Sequence, residues 1–359
     1  MSSPPWMSVV IAGYNSERHL AALAQCLDEQ ASPNDESDLE VLFVDGGSQD
    51  DSRGVASRLG FRVVDNPHGD PIHAKWIGLL NASSRYVCFL DHDERLVQPD
   101  SLLMKHQLLQ ESSGLHIVLP SGYALAGESA TNAYASEFGD PFSLFAYRSP
   151  NRDGFRLQSM RRRLRVHSES PVGTLMYAMS RRPIQCEPVA GACVIDAEYF
   201  LHLVPELITN PQLLPHVYYL MALRDSGSLV AITHSDPIEH HSVDSLNSLI
   251  RKIRWRVVNA GWGTELSESG FRGRREILQE IKRKRGKSAD LVSLSPVAFA
   301  LYVVAIVPVL IDSIRLALRR KSVGYLLHFP LSWMLVFWGL SAKAGKLLGK
   351  SRDLKRYGE

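Results

Sequence analysis

The chain has 359 residues, 45% of them hydrophobic and 22% charged, which excludes a disordered chain and leaves room for one large domain with an appendage, or for two domains. The net charge of +2 conceals an asymmetry: residues 281–359 hold fifteen Lys/Arg against four Asp/Glu, a net +11, and leave −9 for residues 1–280. An acidic body with a basic, apolar tail points to an anionic surface, membrane phospholipid before nucleic acid.

Residues 8–12 (Ser-Val-Val-Ile-Ala) predict a buried strand that ends at the turn Gly13-Tyr-Asn15. The run at 7–12 is too short for a secretory signal. Ser16 is placed to cap the next helix, whose apolar positions Leu20, Leu23, Ala24 and Leu27 have helical spacing. After a break at 33–37, a second strand at 40–44 ends in Asp45-Gly-Gly-Ser48. Asp50 and Asp51 open a helix through Val55, Ala56 and Leu59, and a third strand covers 61–64. Residues 72–82 predict a helix, and 86–90 a fourth strand that ends at Asp91-His-Asp-Glu94.

This alternation predicts an α/β fold with a doubly wound, mostly parallel sheet. Such sheets bind ligands beyond the carboxyl ends of their strands. Here those ends carry Gly13 and Asn15, Asp45 with Gly46 and Gly47, and Asp91 with Asp93, three polar clusters that converge on one crevice.

Further strands are predicted at 117–119, 193–195 and 229–232, and a helix at 244–259. Arg161-Arg-Arg-Leu-Arg165 is a dense basic patch in a loop or short helix. Cys26, Cys88, Cys186 and Cys193 form no CxxC pair and read as reduced structural thiols. A basic amphipathic stretch covers 272–287. Two uncharged runs follow, 291–311 and 322–342, each of 21 residues and interrupted by Pro296, Pro308 or Pro330. About 20 residues cross a bilayer as a helix.

Two carboxylates one residue apart at a strand end, Asp91 and Asp93, suit a divalent cation, Mg²⁺ or Mn²⁺, bridged to diphosphate oxygens, or a ribose. Asp45, directly after its strand, suits a base N–H or a ribose hydroxyl, and Gly46 and Gly47 allow close backbone approach.

The ordered series Val9-Val-Ile-Ala-Gly-Tyr-Asn15, Val44-Asp-Gly-Gly-Ser-Gln-Asp50 and Phe89-Leu-Asp-His-Asp-Glu94 resembles the large GT-A family of inverting glycosyltransferases, family 2. The resemblance covers residues 7–105 well and 185–260 loosely. Residues 44–96 are especially similar to members that end this segment in a DxDE motif and build cell-surface polysaccharides. It implies a Rossmann-like GT-A catalytic domain and cation-dependent transfer from a nucleotide-sugar donor, with inversion. Gly13, Asn15 and Asp45 would hold base and ribose, Lys75 would face the diphosphate, and Asp91 would touch ribose or metal. Asp93 would bind the metal, and His240 or His241 would complete the metal site. The family's usual acidic pair, eleven residues before Gly227, is replaced by Pro215 and His216. His216 is the expected base, with Glu206 or Glu187 as alternatives, and Ala12 stands where proline is usual.

The expected organisation is a catalytic domain at 1–265, a basic linker helix at 266–290 and a membrane-associated helical region at 291–359. If both apolar runs crossed a bilayer, Arg315, Arg319, Arg320 and Lys321 would lie opposite a cytoplasmic catalytic domain, against the positive-inside tendency. Interfacial or re-entrant helices in the cytoplasmic leaflet of the inner membrane are therefore expected over a spanning hairpin, with Tyr325, Trp333 and Trp338 at the interface. A membrane-held acceptor follows, a lipid-linked saccharide or polysaccharide, with Arg251, Lys252 and Arg254 beside Trp255 gripping its phosphates. The alternatives are transfer directly to polyprenyl phosphate, or a catalytically inactive nucleotide-sugar-binding scaffold. Nucleic acid is not expected, because the basic residues flank apolar runs.

Overall fold

The computed structural model describes residues 4–33, 39–180, 182–262, 268–286 and 292–349. Most of the break expected at 33–37, and the boundary at 265, fall outside them. The chain forms two compact units. The first comprises Met1–Ala124, Asp153–Met179 and Cys186–His240; the second comprises Leu125–Arg152, Ser180–Gln185 and His241–Glu359. No single cut separates them, since residues 125–152 and 180–185 join the later chain.

The first unit holds twelve strands among the described residues. They are β1 (Met7–Gly13), β2 (Leu39–Asp45), β3 (Arg62–Asp65), β4 (Tyr86–Asp91), β5 (Glu94–Leu96), β6 (Leu115–Leu119), β7 (Gly122–Tyr123), β8 (Val166–Glu169), β9 (Gly173–Tyr177), β10 (Cys193–Asp196), β11 (Leu229–Thr233) and β12 (Pro237–His240). Nine form one sheet in the order β3-β2-β1-β4-β10-β6-β11-β9-β8, and β5-β12-β7 form a second. The expected parallel order holds along β3-β2-β1-β4. Beyond β4 the sheet is mixed: β10 runs antiparallel to β4 and β6, while β11 is parallel to β6 and antiparallel to β9. β1, β2, β4, β6 and β11 therefore all present their carboxyl ends at one sheet edge.

β1 is buried along its whole length and β4 along all but its last residue, which is why both read as unbroken apolar runs. Val9, Ile11, Phe43, Cys88, Leu90 and Val194 belong to one core cluster. Ser16 precedes the first helix, Glu17–Asp28, but its hydroxyl does not cap it. Instead Ser16 Oγ accepts from Tyr14 N at 3.0 Å, and Ser16 N donates to Ser52 Oγ at 2.6 Å, so the residue ties two turns together.

The helix Pro71–Asn81 is specified locally. Asp70 accepts from the N–H groups of Ile72 and His73, and Pro71 occupies the first turn, where its missing N–H costs nothing. A Cβ on Gly78 would stand 2.2 Å from Val10 Cγ1, so glycine lets this helix lie close on β1. That approach carries Lys75, one turn earlier, to the end of β4.

The second unit is helical among its described residues, with helices Ala130–Phe138, Pro141–Tyr147, Leu246–Trp262, Phe271–Arg285, Pro296–Val304, Val307–Arg320 and His328–Leu347. Fully buried Glu137 pairs with Arg320 and accepts from Tyr325 Oη at 2.8 Å, and Arg148 pairs with Asp312. The first apolar run is no single rod: its two helices meet at 85°, at Ile306, whose φ of 56° is left-handed. Pro308 follows the bend. The second run continues through Val323–Leu347, 25 helical residues that contain an 18-residue window of mean hydropathy 1.4, and Pro330 sits in the first turn of its α-helix without bending it.

Candidate active site

Every element of the site lies in the first unit, at the shared carboxyl edge. The β1 and β2 turns are laced to each other. Gly46 N donates to Gly13 O at 2.8 Å, Asn15 N to Ser48 Oγ at 2.9 Å, and Gln49 N to Asn15 Oδ1 at 2.8 Å. Asn15 takes a left-handed φ of 48° to do so. A Cβ on Gly13 would lie 2.2 Å from the buried ring of Phe43. Asp45 is only 2% exposed. Its carboxylate accepts from Ser48 Oγ at 2.5 Å and from Arg53 Nη1 at 3.2 Å, and Arg53 also reaches Asp65 at the rim.

At the end of β4, Lys75 Nζ lies 2.6 Å from Asp91 Oδ1, and Asp93 Oδ2 lies 3.6 Å from His240 Nε2. His240 ends β12 and stacks on Tyr123 at 4.9 Å between ring centroids. The sequence left His240 and His241 as alternatives; His240 is the one beside Asp93, whereas His241 approaches Glu128 in the second unit.

Beneath this turn is a residue to which the sequence reading gave no role. Glu94 is fully buried, and its carboxylate accepts from Asp91 N at 2.9 Å, Gly191 N at 2.8 Å and Tyr123 Oη at 2.9 Å. Burial, then the nearby Asp91 carboxylate, pushes its pKa up to about 7. Arg95 closes the other side, donating to His92 O at 2.8 Å and to His19 O at 2.6 Å. The DxDE spelling already contained Glu94; its partners come from β7 and the loop before β10, which no local pattern reveals.

Residues 8–182 match the model of glycosyl transferase family 2. The chain carries a family 2 glycosyltransferase domain. None of the curated proteins matches the sequence. Among solved structures, the chain is similar to the mannosyltransferase PcManGT from Pyrobaculum calidifontis, solved with GDP-Man and Mn²⁺, at 15% identity over 98% of this chain and 89% of that one, with a TM-score of 0.53. It is also similar to S. aureus TarS 1-349, at 14% identity, 97% and 93% coverage and TM-score 0.44. A third is glucosyl-3-phosphoglycerate synthase from Mycobacterium tuberculosis with Mn²⁺, UDP and glucosyl-3-phosphoglycerate, at 17% identity, 71% and 78% coverage and TM-score 0.41. The first likeness establishes the GT-A fold, and the enzyme is a glycosyltransferase.

The donor set of this transferase suits a cation that the substrate completes. Among the described residues no three His, Cys, Asp or Glu side chains converge as a closed metal cage, and Asp91 turns to Lys75 instead. Asp93 and His240 supply one carboxylate and one imidazole. Mg²⁺ ordinarily takes one or two carboxylates plus phosphate oxygens and water, so an open two-residue site fits it better than a cage would.

His216 ends the short 3₁₀ segment Pro211–His216 and precedes the helix Val217–Arg224, with 1% of its surface exposed. Glu206 is exposed and spent on Arg224, through contacts of 3.0 and 2.9 Å that lower its pKa. Glu187 lies exposed in the loop that leads to Gly191. Arg251, Lys252 and Arg254 belong to the helix Leu246–Trp262 of the second unit, where Lys252 Nζ donates to Ser242 Oγ at 2.6 Å and both arginines face solvent.

Proposed function

We propose that this transferase moves a sugar from a nucleotide-sugar donor to a membrane-held saccharide acceptor, with inversion, at the cytoplasmic face of the inner membrane. The observation that carries the reading is the Lys75–Asp91 pair beside the Asp93–His240 pair, on one sheet edge with the Gly13 and Asp45 turns. The acceptor hydroxyl oxygen attacks the anomeric carbon. The new C–O bond forms on one face as the bond to the diphosphate oxygen breaks on the other, and the nucleoside diphosphate leaves with the bonding pair. The Lys75 ammonium is placed to stabilise the charge that gathers on that leaving group. Asp93 and His240 would hold a divalent cation, which supplies further positive charge to the diphosphate. The acceptor proton would pass to His216, the base that the family resemblance implies.

A second reading, donor binding without transfer, is favoured by the burial of His216 and the engagement of Glu206 with Arg224. Steady release of nucleoside diphosphate from a donor separates the two.

The membrane placement rests on the second unit's apolar surface. Leu301, Val304, Phe337 and Leu340 are each more than half exposed, with Phe337 at 67%. The 85° bend suits a re-entrant or interfacial path better than a crossing. Thermal stabilisation of the detergent-solubilised chain by nucleotide sugars with Mn²⁺ tests the donor half of the proposal. Co-sedimentation with anionic vesicles tests the membrane half.

A further inference from the structure

The first unit contains an open depression, lined by both polar and apolar surface, that the donor site does not use. Its volume is about 400 Å³, and its lining includes Ser121, Asp153, Gln158, Arg161, His234 and Ser235. Ser121 follows β6, and His234 and Ser235 follow β11. These are carboxyl ends at the same sheet edge as Gly13, Asp45 and Asp91, because β6 and β11 run in the direction of β4. The cavity therefore opens on the reacting edge, several strands away from the donor turns.

β12 links the two places. It begins two residues after Ser235 and ends at His240, beside Asp93. At about 3.3 Å per extended residue, the five steps from Ser235 to His240 span at most about 16 Å. That reach exceeds one sugar ring and matches a short oligosaccharide.

The lining discriminates between ligand classes. Arg161 is already matched by Glu169 at 2.9 Å, and the Asp153 carboxylate adds a negative charge, so a bare phosphate meets no net positive field. The side chains offer donors and acceptors in mixture: a carboxylate, an amide, a guanidinium, an imidazole and two hydroxyls. Vicinal sugar hydroxyls, each both donor and acceptor, match such a set. Leu157 contributes an apolar surface for the C–H face of a ring. Several of these groups are held in place. Thr174 Oγ1 lies 2.8 Å from His234 Nε2 and accepts from Arg161 Nη2 at 3.1 Å, and Ser121 Oγ accepts from Asp236 N at 3.1 Å. Ser235 takes a left-handed φ of 50° at the cavity wall.

We propose that this cavity is an acceptor subsite that holds a saccharide unit remote from the reacting hydroxyl. The enzyme then extends an existing glycan rather than charging a bare polyprenyl phosphate. The inference rests on the transferase reading.

The test uses the full-length protein in detergent, the wild type beside Gln158→Ala and Asp153→Asn, on an array of immobilised mono- to hexasaccharides. In parallel, thermal stabilisation by UDP and GDP with Mn²⁺ reports the donor site. The expected result is selective binding to glycans of two or more units that weakens at least tenfold in both variants, with nucleotide stabilisation unchanged. Glycan binding that the variants leave intact would overturn the cavity assignment. So would the absence of any glycan signal while nucleotides still stabilise the protein, or binding to vesicles containing polyprenyl phosphate that falls in the variants without a glycan signal. A wild type that binds glycans through this cavity but no nucleotide would keep the subsite and remove the transferase reading. A wild type that binds neither would remove both.

Discussion

The buried carboxylate of Glu94 accepts the backbone N–H of Asp91 at 2.9 Å, and so fixes the turn that carries Asp91 and Asp93. Its other partners, Gly191 N and Tyr123 Oη, are also donors, so Glu94→Gln must turn an amide NH₂ toward at least one of them. This variant should lose activity and apparent Mn²⁺ affinity by roughly 10- to 100-fold, as expected for a residue that positions a metal ligand. Unchanged Mn²⁺ dependence, measured by titration of activity, would deny Glu94 this role.

Asp196 predicts an acid-sensitive element of stability. Burial alone would raise its pKa, but hydrogen bonds from His116, Arg85 and the Tyr199 N–H outweigh burial and hold it at about 2, against 3.8 unperturbed. A depressed carboxyl pKa stabilises the fold above the unfolded value and loses that contribution as pH falls through the folded one. Asp196→Asn should therefore cost about 2 kcal/mol near pH 7, and the difference from wild type should close between about pH 4 and 2. Urea unfolding across that range checks it; a gap that stays constant with pH would contradict the assignment.

All four cysteines are free and buried, and burial pushes the thiols of Cys88 and Cys186 up to about 12. The native protein should resist alkylation at pH 8 and take up four labels only when unfolded, which intact mass spectrometry reads directly. Rapid native labelling would contradict the packing. That silence makes an added thiol legible. Lys321→Cys, at the exposed turn after the helix Val307–Arg320, should label only from the cytoplasmic side of sealed vesicles. Labelling only from the opposite side would replace the re-entrant path with a spanning hairpin.

His216 is the point of greatest tension between sequence and structure. Its place eleven residues before Gly227 makes it the base that the family resemblance implies, and its burial withholds it from solvent. If it is the base, His216→Ala and His216→Gln should lower turnover by roughly 10²- to 10⁴-fold while nucleotide stabilisation is unchanged. A fully active variant would place the base elsewhere.

What the sequence disclosed follows the physics of each element. β1, β2 and β4 are long apolar runs that end in polar turns, so their period and their punctuation were both readable, and Asp45, Asp91 and Asp93 with them. β5, β7 and β12 have two to four residues each and exist only because they pair with one another across distant sequence. β8 is exposed along its length and leaves no hydrophobic signature. For the same reason Tyr123, Gly191 and the cavity beside Arg161 were invisible: each brings together segments 29 or more residues apart. Ser16 carried a capping signal but spends its hydroxyl on Tyr14 N, because a nearby turn competes for it. The assignment of residues 125–152 to the second unit left no trace in composition.

The Asp91–Asp93 turn is proposed as the place of glycosyl transfer from a nucleotide sugar. Release of nucleoside diphosphate from a panel of UDP- and GDP-linked sugars, with Mn²⁺, by the full-length wild type and by Asp93→Asn, tests it most directly. At least one donor should be turned over, and Asp93→Asn should slow release by roughly 10²-fold or more with its circular dichroism unchanged. Asp93→Asn that releases product at the wild-type rate, or a wild type that turns over no donor, would contradict it.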